Sequence, residues 1–166
     1  MIRKILLLFF FLALVFLFTY QGCKAPEAAS GIPTVEMLDL SGNRVKLSDF
    51  AGKPLLVNMW ATWCGPCRFE IPMLNDFHKK YSDKGLVIIG ISTDEEGVDL
   101  VKDFQKEIPI HYPSFLKTPG LEEKFGGVWA LPTSYFFDRT GKQTEKIIGV
   151  QTHEYFEKQI QRILKD

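Results

Sequence analysis

Hydrophobic residues are distributed along this chain in three patterns, each of which predicts a different kind of element. An unbroken apolar run from Ile5 to Phe18 follows Arg3 and Lys4, a positive stretch ahead of a core too short for a comfortable membrane span; this pattern predicts an export signal. Continuous runs at Leu55 to Trp60 and Leu86 to Ser92 suit strands covered on both faces. Between them Ile71, Leu74, Phe77 and Tyr81 recur at three- and four-residue steps, the period of a helix with one buried face. Pro72 lies inside that helix, removes a backbone donor and is expected to bend it.

Shorter patterns fill in the rest. Val35 to Leu40 and Arg44 to Leu47, joined through Ser41-Gly42-Asn43, read as a leading hairpin. Thr93-Asp94-Glu95-Glu96 fits a capping box opening a helix through about Glu107. A central insert follows, with Ile110 to Tyr112 and a short helix from Pro119 to Phe125 that Thr118 can cap and Gly126-Gly127 ends. Thr133 to Phe137 and Glu145 to Gly149 form an antiparallel pair around Asp138 to Lys142. Phe156, Ile160, Ile163 and Leu164 mark the buried stripe of a last helix capped by Thr152. The predicted fold class is α/β, a mixed central sheet flanked by helices.

The ends divide the chain into a signal segment over 1–22, a tether over 23–33 and one domain over 34–166, long enough to bury a core. Lys24 to Pro33 is small, polar and interrupted by proline, as a short tether should be. Twenty basic residues balance 20 acidic ones; without Arg3 and Lys4 the balance is 18 to 20, a net charge of −2. That argues against a nucleic-acid partner.

The candidate chemistry lies at Cys64-Gly65-Pro66-Cys67, between the first central strand and the periodic helix. Unpaired N–H groups and the positive end of the helix dipole favour an anion there, so Cys64 is expected to ionise more readily than a free cysteine. Cys67, one turn on, can displace a mixed disulfide formed at Cys64, giving a reversible two-electron centre. A purely structural disulfide is disfavoured because so short a loop constrains little of the unfolded chain. A zinc site is disfavoured too: the third cysteine is Cys23, and His78, His111 and His153 lack ligand spacing, so no metal is expected.

Trp60-Ala61-Thr62-Trp63-Cys64-Gly65-Pro66-Cys67-Arg68, Glu70-Ile71-Pro72, Leu131-Pro132-Thr133 and the leading segment from Val35 to Phe50 together resemble the TlpA/ResA group of thioredoxin-fold thiol-disulfide oxidoreductases, from about Ile32 onward. The resemblance implies a thioredoxin-like fold and no cofactor beyond the Cys64/Cys67 couple itself. It implies that Pro132, which local sequence alone would leave trans, is cis and lies beside the reactive cysteine, where Leu131 to Thr133 can pair with an extended substrate. Trp63, Gly65 and Pro66 are expected at the docking rim and Trp60 in the core. The peroxiredoxin pattern of proline and threonine before the reactive cysteine is replaced by Val57 and Ala61. The buried aspartate of ordinary thioredoxins is Asn58 here, which cannot titrate; Glu70, three residues after Cys67, is the nearest candidate base, against the alternative of a solvated glutamate.

Cys23, in Tyr20-Gln21-Gly22-Cys23, resembles a bacterial lipoprotein processing site, although Tyr20 and Gln21 fit it poorly. Lipidation at Cys23, an uncleaved anchor and soluble release all place the domain outside the cytoplasm, on the periplasmic side, with the first preferred. The expected activity is reduction of disulfides in exported proteins, apocytochrome c being one plausible substrate, with electrons from a membrane thiol reductant of the DsbD/CcdA kind and the protein itself a monomer. Oxidation or isomerisation of exported proteins, and metal or copper delivery by the two thiols, are the alternatives.

Overall fold

The computed structural model describes residues 31–165; the expected signal segment, Cys23 and the tether up to residue 30 lie outside them. Seven strands form one sheet in the order β2-β1-β5-β4-β3-β6-β7. They are β1 (Glu36–Asp39), β2 (Arg44–Lys46), β3 (Leu55–Trp60), β4 (Val87–Ser92), β5 (Ser114–Lys117), β6 (Thr133–Phe137) and β7 (Gln143–Ile148), and the helices are α1 (Gly65–Tyr81), α2 (Val98–Glu107), α3 (Leu121–Lys124) and α4 (His153–Lys165). β3 runs parallel to β4 and β4 to β5, while β1 joins β5, and β6 joins β3, antiparallel. This is the mixed sheet of a thioredoxin-like fold.

β3 is buried along its whole length, as its unbroken apolar run requires, and its side chains alternate between two layers. Leu55, Val57 and Met59 join Met37, Leu47, Phe125, Tyr135 and Phe137 on one face, against which Ile32 also packs. Leu56 meets Leu74, Phe77, Phe156 and Ile160 on the other, under α1 and α4. Trp60 lies with Cys64, Cys67, Ile71, Val101 and Phe104, so the cysteines sit at the edge of a packed layer. Asn58 alternates onto the helix-covered face, toward α1.

The structure corrects two sequence expectations. α2 starts at Val98 behind Gly97, with no side-chain cap; Thr93, the cap of the expected box, donates its hydroxyl to the Trp60 carbonyl at 3.2 Å instead, and Asp94 is drawn into hydrogen bonds with Thr62 and Ser92. Thr118 does not cap the short α3, because its hydroxyl donates to the Glu36 carbonyl at 2.7 Å. The central insert also supplies a strand, Ser114–Lys117, beyond the Ile110 to Tyr112 stretch read from the sequence. Asn75 of α1 holds that earlier stretch by donating to the Pro109 carbonyl and accepting from the His111 N–H, each at 2.8 Å. α1 itself runs through Pro72 from Gly65 to Tyr81 as one helix.

Candidate active site

The turn from β3 into α1 places Cys64 as the N-cap residue, with Pro66 in the first turn, where a missing N–H costs nothing. The Cys67 N–H donates to Sγ of Cys64 at 3.2 Å. Cys64 and Cys67 are joined as a disulfide, with Cα atoms 5.3 Å apart. Cys64 retains 4% of its surface and Cys67 1%, so the first is the more accessible of the two. Gly65 and Pro66 between them are exposed.

Asp94, at the end of β4, fixes this turn. Its carboxylate accepts from the Thr62 N–H at 3.0 and 3.2 Å, the Thr62 hydroxyl at 2.8 Å and the Ser92 hydroxyl at 2.6 Å. The carbonyl of Thr62 in turn accepts from Nε of Arg68, whose guanidinium lies 5.0 Å over the Phe104 ring. Sequence reasoning missed Asp94 as a positioning residue because its run of acidic neighbours fits a cap equally well.

The Leu131–Pro132 peptide is cis. Leu131 packs against the layer that contains Cys64 and Cys67, so this loop borders that layer. The Pro132 carbonyl accepts from the Gly149 N–H at 2.8 Å, and the Thr133 hydroxyl donates to the Ala130 carbonyl at 2.7 Å. A cleft of about 440 Å³ opens between this loop and the turn after β4, lined among others by Trp63, Glu96, Trp129 and Leu131. Trp63 is 71% exposed and Trp129 86%, while Trp60 is fully buried. Trp129 was not singled out from the sequence. Its indole lies against Gly127, whose Cβ would come within 3.0 Å of the ring and whose φ is +86°, so that glycine is what lets the indole settle there.

Glu70 is buried, with 2% of its surface exposed, and is no solvated helix-face glutamate. Oε2 accepts from Nδ2 of Asn58 at 3.2 Å, and the same amide donates to the Ser134 hydroxyl at 2.9 Å. Burial pushes the carboxyl up from 4.5 to about 7, the Asn58 hydrogen bond opposing this only in part. A side chain with that proton affinity, one turn from Cys67 on the same helix, can take or return a proton at neutral pH. Among the described residues no group of three or more histidine, cysteine or acidic side chains could hold a metal ion.

A reversible dithiol at a helix N-terminus, beside a cis-proline loop on a mixed sheet, defines a thioredoxin-fold thiol-disulfide oxidoreductase. Relatives agree. The AhpC/TSA family model matches residues 28–145. Thiol-disulfide oxidoreductase ResA of Bacillus cereus (strain ATCC 10987 / NRS 248) is 37% identical over 148 residues, 87% of this chain and 85% of its own length. ResA of Bacillus subtilis (strain 168) is 29% identical over 140 residues, 82% and 78% of the two chains. Among solved structures, a thiol:disulfide interchange protein of the thioredoxin family from Chlorobium tepidum TLS superposes with a TM-score of 0.72 at 30% identity, covering 81% of this chain and 96% of that one. One from Bacteroides sp. gives 0.72 at 28%, covering 82% and 90%. This chain belongs to the AhpC/TSA family and, within it, to the TlpA/ResA-like thiol-disulfide oxidoreductases.

Proposed function

We propose that this oxidoreductase works outside the cytoplasm, held at the membrane through its N-terminal segment, and reduces disulfides in exported proteins. The observation that carries the redox reading is the Cys64–Cys67 disulfide at the start of α1, with its outer sulfur accepting the Cys67 N–H. In the reduced enzyme that N–H and the helix dipole favour the Cys64 thiolate. The thiolate attacks one sulfur of a substrate disulfide; a Cys64–substrate bond forms, the substrate bond breaks, and the released thiolate takes up a proton. Cys67 then gives its proton to Glu70 and attacks Sγ of Cys64, releasing the second substrate thiol and forming the disulfide seen here. Two electrons have passed to the substrate. A membrane thiol reductant must restore them.

The export pattern over residues 1–22 and the resemblance of Tyr20-Gln21-Gly22-Cys23 to a lipoprotein processing site support the location, while among the described residues no helix is long and apolar enough to cross a membrane. Apocytochrome c, whose haem-attachment cysteines must be reduced, is one substrate this reading accommodates. Gly65-Pro66 between the cysteines resembles reducing thioredoxins and favours the reductant direction over oxidation or isomerisation. The test is equilibration of the couple against glutathione together with Cys67→Ser trapping. A potential near thioredoxin's, about −270 mV, and a mixed disulfide through Cys64 are expected; a potential near that of DsbA, about −120 mV, would overturn the direction. Failure to trap any disulfide protein would overturn the mechanism.

A further inference from the structure

The buried oxygens Oε1 of Glu70 and Oη of Tyr112 and the ring nitrogens Nε1 of Trp60 and Nδ1 of His78 have no hydrogen-bond partner among the described residues. Orphaned buried polar atoms are rare enough in native folds that each calls for a reason. Nε1 of Trp60 and Cε2 of Tyr112 each lie 3.0 Å from the point where a side chain on Gly90 would begin, so the two rings meet over that glycine. Tyr112 also stands edge-on to His78 of α1, with ring centroids 6.4 Å apart. Its backbone is held to the same helix because Asn75 pins Pro109 and His111 just before it. Gly90 is the register partner of Asn58 on the neighbouring parallel strand, so the two rings lie beside the amide that holds Glu70; burial, and after it the nearby Glu70 charge, hold the Tyr112 phenol well above the ordinary tyrosine range.

We infer that Tyr112 is a positioning residue for Glu70, its hydroxyl acting on Oε1 through one internal water shared with Nε1 of Trp60 and completing the hydrogen bonding that Asn58 begins at Oε2. A phenol suits this place because it can donate to the carboxylate and accept from the acid, following the proton through both halves of the cycle. Donation to the ionised form is the stronger bond, so the net effect of the hydroxyl is to hold the midpoint of Glu70 down against burial. The titratable groups around the enclosure are Cys67 and His78 of α1 and Tyr112; β3 and β6 present the uncharged Asn58 and Ser134.

The inference rests on reading Glu70 as the proton partner of Cys67, and its test observes Glu70 directly. In the oxidised full chain Cys67 carries no proton, so the Glu70 carboxyl can be followed by carbon-13 NMR without thiol coupling, assigned by its loss in Glu70→Gln, with His78 followed through its own ring resonances. The wild-type midpoint is expected near 7. Tyr112→Phe, which keeps the ring, should raise it by about one pH unit, the size of a hydrogen bond to a charged group. The Tyr112 Cζ resonance of the wild type should move with the same midpoint. An unchanged midpoint in Tyr112→Phe would overturn the inference, as would a Tyr112 resonance indifferent to Glu70. Glu70→Gln with an unaltered exchange rate would defeat the role of Glu70 toward Cys67 while leaving the Tyr112 contact standing.

Discussion

Asn58 and Glu70 form a buried hydrogen bond of 3.2 Å between the strand that leads into the active site and the helix that leaves it. The amide is neutral and donates, so it supports the carboxylate without adding charge. Asn58→Asp would set a second carboxyl against the first, and two such groups cannot both ionise at that distance. The variant is expected to retain a shared proton across neutral pH and to lose stability between pH 6 and 8 more steeply than the wild type, as measured by urea unfolding of the oxidised protein.

Glu70 alone makes the wild type pH-dependent in the same direction. Its proton affinity is 4.5 in the ordinary state and about 7 in the fold, so between those values the folded protein holds a proton that the unfolded chain releases. The contribution to stability is complete below about pH 4.5 and is lost as pH rises through 7, in all about 3 kcal/mol. Glu70→Gln should flatten that part of the profile. Unfolding curves at pH 5, 7 and 8 check it.

Asp94→Ala should be costly twice over. It leaves the Thr62 N–H, the Thr62 hydroxyl and the Ser92 hydroxyl without their shared acceptor in a buried place. A loss of about 3 kcal/mol is expected from those groups. The turn that presents Cys64 loosens as well, so the exchange rate of the surviving folded protein should fall about tenfold. Stability and stopped-flow measurements separate the two effects.

Trp129→Ala tests the cleft. The indole is exposed, so the change should alter stability by no more than about 0.5 kcal/mol. If the ring is a docking platform, KM for a disulfide-bonded protein substrate should rise about tenfold while the rate with a small aromatic disulfide is unaffected. Equal effects on both substrates would assign the ring some other role.

The redox centre was legible in the sequence because two cysteines at a strand-to-helix junction leave few chemical alternatives, and β3, β4 and α1 follow from long periodic runs. The failures share a physical cause: side chains that satisfy distant backbone or polar groups look, locally, like caps and turn formers. Thr93 to Glu96 fits a capping box until Trp60 and Thr62 are brought beside Thr93 and Asp94, and Thr118 fits a cap until Glu36 is brought beside it. β5 escaped notice because its two apolar residues, Phe115 and Leu116, face opposite layers and leave no periodic trace in four residues. Tyr112 carries no local signal at all, since its significance depends on Gly90 being bare.

Glu70 and Cys67 are borne on one turn of α1, whereas Asn58 and Ser134 belong to the sheet. Sulfur and carboxyl therefore travel as a single rigid cargo. Any slide of the helix over the strands as the cysteines part or join leaves their separation intact and stretches the amide link instead, so such motion would alter the acid's proton affinity without moving it from the sulfur it serves.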